Sequence, residues 1–465
     1  MATAPTPREG WPTSRRAGAP FDSAAIRLAR RGAVIPDSAA SRLQALTLAD
    51  VIDVALGNNP QTRITWAQSR AAASAYASAR GRWVPTLQAD ANGGPSRAIS
   101  SNPARVPGDR TTVSTTISLQ YLLFDFGARG GVMSAAREAM FAADLTHNGA
   151  VQSVVLQSES AYFTYQAARG LVDASRQTVA TATTNLAAAE RRHDVGLATI
   201  ADVLQARTAL AQSRLASQTA EGNLQAARAQ LALALGLPAN AAFDVVSDTG
   251  ATPVAALAEN VDSLIARAMR ERPDVMASRA TARQSAQQVR VARSAMLPSV
   301  TMGANRGQAF SNANVLDGTT YALTFGLSVP LFYGLSRASD VATARENAAV
   351  AAARADQAQL NAAAQVWTSY WALQTVTQRV ATARELLTSA TRSEEVARGR
   401  YAEGVGSILD LLTAQNALAD ARAQSIQSRW TWFAALAQLA RDAGVLGTHG
   451  EPNLTLTPGT PGKPR

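Results

Sequence analysis

Cysteine is absent from this sequence of 465 residues, and lysine occurs only once, at Lys463. Without cysteine the sequence can form no disulfide, thiolate metal site, cysteine nucleophile or lipidated N-terminal cysteine. Runs of about 18 consecutive apolar residues, which a membrane-spanning helix needs, are missing as well. Any insertion into a membrane would therefore have to use β-strands. Aromatic residues make up only 5% of the sequence, which, with abundant alanine, favours closely packed helices over a thick globular core.

Catalytic signatures are also missing from the sequence. The histidines are scattered, at His147, His193 and His449, and no nucleophile elbow, phosphate-binding loop or H-E-x-x-H motif occurs. We therefore predict no enzyme activity, no cofactor and no metal site. The net charge of +10 comes almost entirely from arginine. Because these arginines form no dense basic run and have no interleaved aromatics, we do not expect a nucleic-acid partner.

The sequence does contain a long internal repeat. Segments 192–206 and 400–414 match at a spacing of 208 residues, and Pro60 and Pro273 are 213 residues apart. A repeat of this length indicates a duplicated structural unit. We predict a flexible extension at 1–45, a first repeat at 46–238, a linker at 239–259, a second repeat at 260–443 and a flexible tail at 444–465.

The apolar period changes within each repeat. A helical period comes first, and a period of two follows at 85–124 and 298–332, which predicts two β-hairpins. We expect loops between the strands at about 93–110 and 306–318, where Gly, Asn, Ser and Pro are frequent.

Long helical patterns follow both predicted β-hairpins. They cover 127–235 and 334–443 without a proline, and each turns at a glycine, Gly196 or Gly404. At about 1.5 Å per residue, the first pattern up to its turn spans on the order of 100 Å. The predicted fold class is therefore mostly α with a small β part, namely internally duplicated long helical hairpins plus four β-strands per chain.

Two interpretations of the alternating strands remain open. The strands could form half-buried hairpins of a soluble sheet, or they could span a membrane with apolar side chains facing lipid. Four strands cannot close a barrel, because the smallest known barrels have about eight. In the second interpretation two or three chains would have to share one barrel, so it predicts an oligomer.

The turns between the long helices have a structural explanation in part. Each glycine suits the left-handed position that ends a helix, and each S/T-x-x-D sequence suits a capping box at the next helix. The residues concerned are Gly196, Thr199 and Asp202 in the first turn and Gly404, Ser407 and Asp410 in the second. Capping does not explain the apolar residues Val195, Leu197 and Val405 at the tips. Exposed apolar residues in such a position favour a docking partner.

With the duplication and the paired hairpins, these turns resemble those of the TolC family of outer-membrane channel proteins, over about residues 46–445. The resemblance implies a homotrimer in which twelve strands form one β-barrel in the outer membrane lipid and twelve helices form an α-helical barrel through the periplasm. It also implies a periplasmic adaptor (membrane fusion) protein and an inner-membrane ABC or RND transporter as partners. Members of the family export proteins or small toxic molecules.

The resemblance also implies roles for individual residues at the turns. The tips would contact the adaptor through Val195, Gly196, Leu197, Thr199, Gly404, Val405 and Ser407. The periplasmic gate would involve the acidic Asp202 and Asp410, the aromatic Tyr401, and the nearby bases Arg192, His193 and Arg400. Two positions depart from the family pattern, since Gly406 replaces a gate arginine and Thr413 replaces a second aspartate. The expected gate is therefore less acidic and latched by other groups, for which the three bases are candidates.

Several functions still have to be distinguished. The absence of a lipid-attachment cysteine favours a type I secretion channel for a protein such as a toxin, and the alternative is the outer-membrane component of a small-molecule efflux pump. A cytoplasmic coiled-coil scaffold would also use long alanine-rich helices, but it does not account for the alternating hairpins. Residues 1–45 contain no apolar run suited to a secretory signal, so we expect the signal to lie upstream or to have been removed.

Overall fold

The structure is a computed structural model that describes residues 6, 8, 45–97, 109–246, 255–257, 259–311, 318–447 and 456–458. Most of the predicted N-terminal extension and much of the predicted tail lie outside these residues. The chain divides into two compact units. The first unit comprises Met1–Gln68, Asp144–Met276 and Gln357–Arg465, and the second comprises Ser69–Ala143 and Ala277–Asp356.

Eight helices of the described chain form two matching sets of four. The first set is α1 (Leu48–Asn58), α2 (Pro60–Gly81), α3 (Ala128–Asp194) and α4 (Ile200–Ala234). The second set is α5 (Val261–Glu271), α6 (Pro273–Ser294), α7 (Ser336–Ala402) and α8 (Ile408–Asp442). The longest helices have 67 residues each and the helices after the turns have 35 each. Within the described residues, none of the helices is both long and apolar enough to cross a membrane.

The short helices begin where the sequence supplies capping groups. At α1, the side chain of Thr47 accepts a hydrogen bond from the Asp50 backbone, and the Asp50 carboxylate accepts one from the Thr47 backbone. At α2, the Asn59 side chain accepts from the Gln61 backbone at 2.9 Å. Pro60 occupies the first turn of α2, where a backbone N–H would have no partner within the helix. These local signals fix the sharp α1–α2 junction.

Four strands form one antiparallel sheet in the second unit. They are β1 (Thr86–Arg97), β2 (Asp109–Phe124), β4 (Ser299–Ser311) and β5 (Gly318–Ser328). Their order is β1-β2-β4-β5, so the two hairpins pair through β2 and β4, and β1 and β5 are the edges. The loops expected from residues 93 and 306 begin later, because cross-strand pairing continues to Arg97 in β1 and to Ser311 in β4. Tertiary pairing overrides the loop preference of these Gly-rich stretches.

Several apolar side chains of this sheet are exposed. Val113 and Ile117 of β2 are exposed, and so are Tyr321, Phe325 and Leu327 of β5. Thr112, Thr116 and other polar residues at the intervening positions of β2 are half-buried. A soluble sheet would place the apolar face against a core. The exposure of these apolar side chains therefore favours the membrane interpretation over half-buried soluble hairpins.

A second, two-stranded sheet lies in the first unit. Its strands are β3 (Ala255–Leu257) and β6 (Leu456–Pro458), which pair antiparallel. A parallel bridge between Leu46 and Val245 lies in the same unit. The predicted linker and the predicted tail thus each contribute a short paired segment.

In the first unit, the chain approaches the backbone of a short helix closely at two positions that require glycine. Gly236 follows α4 with φ +69°, and a Cβ atom there would lie 2.8 Å from the carbonyl carbon of Asn58. The equivalent Gly444 follows α8 with φ +81°, and its Cβ would lie 3.1 Å from the backbone nitrogen of Arg272. Trp432 and Leu231 are buried in the adjoining core. Each long helical hairpin is thereby packed closely against a short helix junction.

One buried acidic residue in α3 makes the first unit sensitive to pH. Glu159 is 2% exposed, and its Oε2 atom has no hydrogen-bond partner among the described residues. Burial raises the pKa of its carboxyl group from 4.5 to about 7. The neutral form is therefore favoured in the folded state, and stability declines as pH rises from the unfolded pKa through the folded one.

We expect Glu159→Gln to stabilise the protein at pH 8 and to change it little near pH 4.5. The gain should be on the order of 3 kcal/mol at pH 8, because the variant removes the cost of ionising a buried carboxyl. Thermal unfolding in detergent at both pH values measures the effect. The exposed Glu395 provides the control Glu395→Gln, which should not change the pH dependence. An equal shift for Glu159→Gln at both pH values would contradict the prediction.

Candidate functional site: the ends of the paired helical hairpins

The first long hairpin turns through a glycine-based helix terminus. Gly196 has φ +76°, a conformation that costs a residue with a side chain about 1–2 kcal/mol. The backbone N–H of Leu197 donates to the Arg192 carbonyl at 2.7 Å, and that of Gly196 donates to the His193 carbonyl at 2.9 Å. These two bonds form a Schellman motif, so the tip has a fixed backbone.

The second long hairpin has the same turn. Gly404 also has φ +76°. The backbone N–H of Val405 donates to the Arg400 carbonyl at 3.0 Å, and that of Gly404 donates to the Tyr401 carbonyl at 3.2 Å. The duplicated sequence therefore folds into two copies of one rigid tip.

The acidic residues of both turns act in capping boxes. The Asp202 carboxylate accepts from the Thr199 backbone N–H at 2.8 Å and from its hydroxyl at 2.9 Å. The Asp410 carboxylate accepts from the Ser407 backbone N–H at 3.3 Å. Each box uses only the Oδ2 atom of the carboxylate, and the described residues offer no hydrogen-bond partner to Oδ1. Each carboxylate thus keeps capacity for another contact.

The tips present apolar side chains to the surroundings. Val195 and Leu197 are 69% and 70% exposed in the first turn, and Val405 is 69% exposed in the second. Ile200 and Leu409, in the first turns of α4 and α8, are also exposed. The rigid backbone holds these groups outward at little further entropic cost, which suits a docking surface.

Three of the predicted gate residues lie together between the two hairpins. The Arg192 guanidinium donates to the Tyr401 carbonyl at 2.7 Å and lies 4.8 Å from the centre of its ring. The Tyr401 hydroxyl is buried and has no hydrogen-bond partner among the described residues. Burial raises the pKa of this hydroxyl; the charge of Arg192 lowers it, and the charge of Asp202 raises it. Arg192 therefore joins the hairpins next to an acidic group.

The other predicted gate residues are not part of this contact. His193 is exposed, and its Nδ1 atom lies 3.0 Å from the Ala198 carbonyl. Arg400 is exposed. A Cβ atom on Gly406 would lie 3.0 Å from the Cβ of Arg400, so a larger residue would not fit this turn without a shift. Of the three candidate bases, Arg192 is the one whose guanidinium contacts Tyr401 across the two hairpins.

Sequence reasoning missed a small buried cluster that joins the hairpin ends. Ile408 of α8 is 3% exposed and packs in one cluster with Ala189, Val203 and Ala206 of the first hairpin. Small residues at helix contacts allow close approach, and the two alanines were the signal available in the sequence. The cluster determines which sides of the two hairpins face each other.

Polar side chains further from the tips also cross between the hairpins. Asn185 donates to the Gln415 side chain at 2.6 Å, and Gln415 donates to the buried Glu394 at 3.4 Å. Sequence reasoning did not identify this chain of amides, because no spacing in the sequence relates residues 230 positions apart. Across the described ranges, no group of three or more His, Cys, Asp or Glu side chains is placed to hold a metal ion.

Comparison with known proteins relates most of the chain to one family. The family model described as outer membrane efflux protein matches residues 51–237 and 264–445. Protein CyaE of Bordetella pertussis is 29% identical over 391 residues, which cover 83% of this chain and 81% of CyaE. The toluene efflux pump outer membrane protein TtgF of Pseudomonas putida is 25% identical over 406 residues, which cover 85% of this chain and 82% of TtgF.

A solved structure has the same fold. The outer membrane protein VceC of Vibrio cholerae matches with a TM-score of 0.76 at 20% identity, covering 85% of this chain and 96% of VceC. This likeness confirms the predicted fold class of duplicated helical hairpins with a small β part.

Proposed function

The chain belongs to the outer membrane efflux protein family, and from that premise we propose that it is the outer-membrane exit channel of a three-part export machine. Its location in the outer membrane and a role in transport follow from the family. The channel is passive, and it receives cargo from an inner-membrane transporter through a periplasmic adaptor. The exposed apolar residues on the two rigid hairpin tips are the observation that carries the docking role.

A homotrimer in the outer membrane fits the four-stranded sheet. Its exposed apolar side chains are suited to lipid, as in transmembrane strands. Its two edges, β1 and β5, expose unpaired backbone groups that cost several kcal/mol each in lipid. Pairing β5 of one copy with β1 of the next satisfies them, and three copies supply twelve strands.

The first candidate for the cargo is a protein, delivered by an ABC transporter in type I secretion, as expected from the sequence. The second candidate is a set of small apolar molecules delivered by an RND pump. The relative TtgF, whose name specifies a toluene efflux pump, favours that second candidate.

Deleting the gene in its native bacterium separates the two cargo classes. For a protein cargo, we expect at least one secreted protein to disappear from the medium while sensitivity to solvents and antibiotics stays unchanged. For efflux, growth inhibition by these compounds should increase and the secreted proteins should remain. Mass spectrometry of the medium and growth assays provide both readouts, with the gene on a plasmid as control. Neither change, under conditions in which the gene is expressed, would overturn the proposed channel.

The acidic residues at the hairpin ends form part of the proposed gate. Asp202 and Asp410 would bring six carboxylates to the periplasmic end of a trimer, where the summed charge attracts cations. In this proposal Arg192, which contacts Tyr401 of the other hairpin, would hold the hairpins together when the gate is closed. This arrangement would compensate for the family arginine that Gly406 replaces.

We expect Asp410→Asn to lower the preference of the channel for cations over anions several-fold. The variant removes three negative charges from the trimer and keeps the size of the side chain. Single-channel recording in planar bilayers, with a salt gradient, measures the reversal potential. Asp420→Asn, which removes an exposed carboxylate from the shaft of α8, should change it less. An unchanged selectivity in Asp410→Asn would remove Asp410 from the gate.

A further inference from the structure

The four strands of the larger sheet all join helices at one end of the sheet. The helices α2 and α6 lead into β1 and β4, whereas β2 and β5 lead into α3 and α7. Thr86, at the start of β1, pairs with Gln120 near the end of β2. Ser299, at the start of β4, pairs with Ser328 at the end of β5. The four connections and the adjoining helix ends therefore form one band, which we call the junction band, at residues 80–84, 124–129, 290–297 and 329–337.

The junction band exposes large apolar side chains. Leu331 and Phe332, which follow β5, are 91% and 81% exposed. The exposed aromatic residues of the band are Trp83, Phe124, Phe126, Phe332 and Tyr333. Apolar exposure of this density is typical of a surface that contacts a partner or lipid, and aromatic residues at the ends of membrane strands lie where acyl chains meet water. The band therefore suits a membrane–water boundary.

The junction band is also strongly basic. Its four segments contain six arginines and a single carboxylate, Asp125. This carboxylate already has a partner, because Arg129 Nε donates to its Oδ2 atom at 3.1 Å and both side chains are buried. The other arginines form no ion pair with any carboxylate of the described residues. They are Arg80, Arg82, Arg290, Arg293 and Arg337.

Helix dipoles explain only two of these five arginines. Arg80 and Arg293 lie in the last turns of α2 and α6, where a positive charge offsets the dipole. Arg82 lies beyond the end of α2 and is exposed. Arg337 lies in the first turn of α7, where the dipole opposes a positive charge. An external anion would explain both placements.

Two contacts hold arginines of the band close to its surface. The Arg337 guanidinium lies 5.0 Å from the centre of the Tyr333 ring, which attracts the cation without neutralising its charge. Arg290 of α6 is exposed and reaches the connection between β2 and α3, since a Cβ atom at Gly127 would lie 3.1 Å from a terminal nitrogen of its guanidinium. Both side chains thus lie beside the exposed aromatic residues.

We propose that the junction band binds acidic phospholipids of the periplasm-facing leaflet, with arginines on the headgroup phosphates and apolar side chains among the acyl chains. The inference rests on the proposed function, which places the strands in the outer membrane and the long helices in the periplasm. Guanidinium groups form strong paired hydrogen bonds with phosphate. The occupant is a lipid, because the same band supplies both cations for a phosphate and an apolar surface for acyl chains.

The excess positive charge makes the band selective among phospholipids. Phosphatidylcholine and phosphatidylglycerol both carry a phosphate, but only phosphatidylglycerol has a net negative charge. Basic groups near a membrane attract anionic lipids over neutral ones. Because Asp125 is the one carboxylate of the band and is paired with Arg129, little in the band opposes this attraction. We expect phosphatidylglycerol to be held in preference to phosphatidylcholine.

Native mass spectrometry of the full-length channel tests this preference. The channel is purified in detergent and incubated with equal amounts of phosphatidylglycerol and phosphatidylcholine that have the same acyl chains. We expect at least threefold more phosphatidylglycerol to remain bound. The triple variant Arg82→Gln, Arg290→Gln and Arg337→Gln should reduce this ratio at least threefold. The control Arg214→Gln, Arg379→Gln and Arg392→Gln removes the same charge from exposed positions on the long hairpins and should keep it.

Two further measurements establish the chemistry of the site. A triple variant with lysine at positions 82, 290 and 337 should keep most of the preference, and a loss as large as with glutamine would contradict selection by charge. A large excess of glycerol 3-phosphate should leave the bound lipid in place, because it lacks acyl chains. Displacement by glycerol 3-phosphate would show a site for soluble phosphates and overturn the inference.

The failure of this inference can be told from the failure of the proposed channel. Equal retention of the two lipids by the unsubstituted protein, or an unchanged ratio in the glutamine variant, would overturn lipid binding by the junction band. If the same preparation still conducted ions in bilayers of phosphatidylcholine, the proposed channel would stand. A protein that inserted into no bilayer would contradict the channel itself and, with it, this inference.

Discussion

Replacing Val195 and Leu197 together with aspartate is expected to reduce export at least tenfold without preventing assembly of the channel. Both side chains are about 70% exposed on a tip whose backbone is fixed by Gly196. Exposed carboxylates cost little in the free protein. Burying them against an apolar partner surface would remove their water without supplying a counter-charge, which is strongly unfavourable.

The expected loss can be assigned to docking by two measurements. Export is measured in a deletion strain that carries the variant, and adaptor binding is measured by co-purification from membranes. The control variant Val195→Ile with Leu197→Met keeps the apolar character of the tip and should retain export. Native gels should show the same oligomer for all three proteins. Normal export by the aspartate variant would contradict docking through the first tip.

The second large effect is expected from Gly236→Ala, which should sharply reduce the amount of folded protein. The left-handed conformation costs alanine about 1–2 kcal/mol. Its Cβ would also lie 2.8 Å from the Asn58 carbonyl carbon, and overpacking of this kind costs about 1–3 kcal/mol more. Together these terms are a large fraction of the stability of an ordinary domain.

Gly196→Ala provides the matched control for this prediction. Gly196 has a similar φ of +76°, but a Cβ there would have no described atom within 4 Å. It should therefore cost only the conformational part, about 1–2 kcal/mol. The thermal unfolding midpoint in detergent and the yield in outer membranes measure both variants. Equal losses for the two glycines would show that the close approach to Asn58 contributes nothing.

Much of the fold could be predicted from the period of the apolar residues and from the residues that begin and end helices. The glycine turns, the capping boxes and the matched prolines mark the ends of helices, and hydrogen bonds between residues close in the sequence determine where these ends lie. The ends of β1 and β4 were less predictable, because pairing with β2 extends strands through residues that alone favour loops. Asymmetry between the repeats was hidden as well. Nothing in the sequence near Ile200 or Ile408 shows that only one of them is buried within a chain.

The sequence predicted which residues lie at the site better than it predicted how they contact one another. The apolar tips and the acidic caps were visible in the sequence, and their roles as docking surface and gate stay predictions. The position of Arg192 over Tyr401 required three-dimensional packing of residues 209 positions apart. Gly406 was noted as a departure from the family, and a Cβ there would lie 3.0 Å from the Cβ of Arg400.

The equal lengths of the long helices restrict how this molecule can evolve. Both repeats use 67 residues before the turn and 35 after it. Removing seven residues from one helix alone would displace its tip by about 10 Å and separate Arg192 from Tyr401. The length of one hairpin can therefore change only if the other changes by the same number of residues. The strands carry no such restriction, since β2 has 16 residues and β5 has 11.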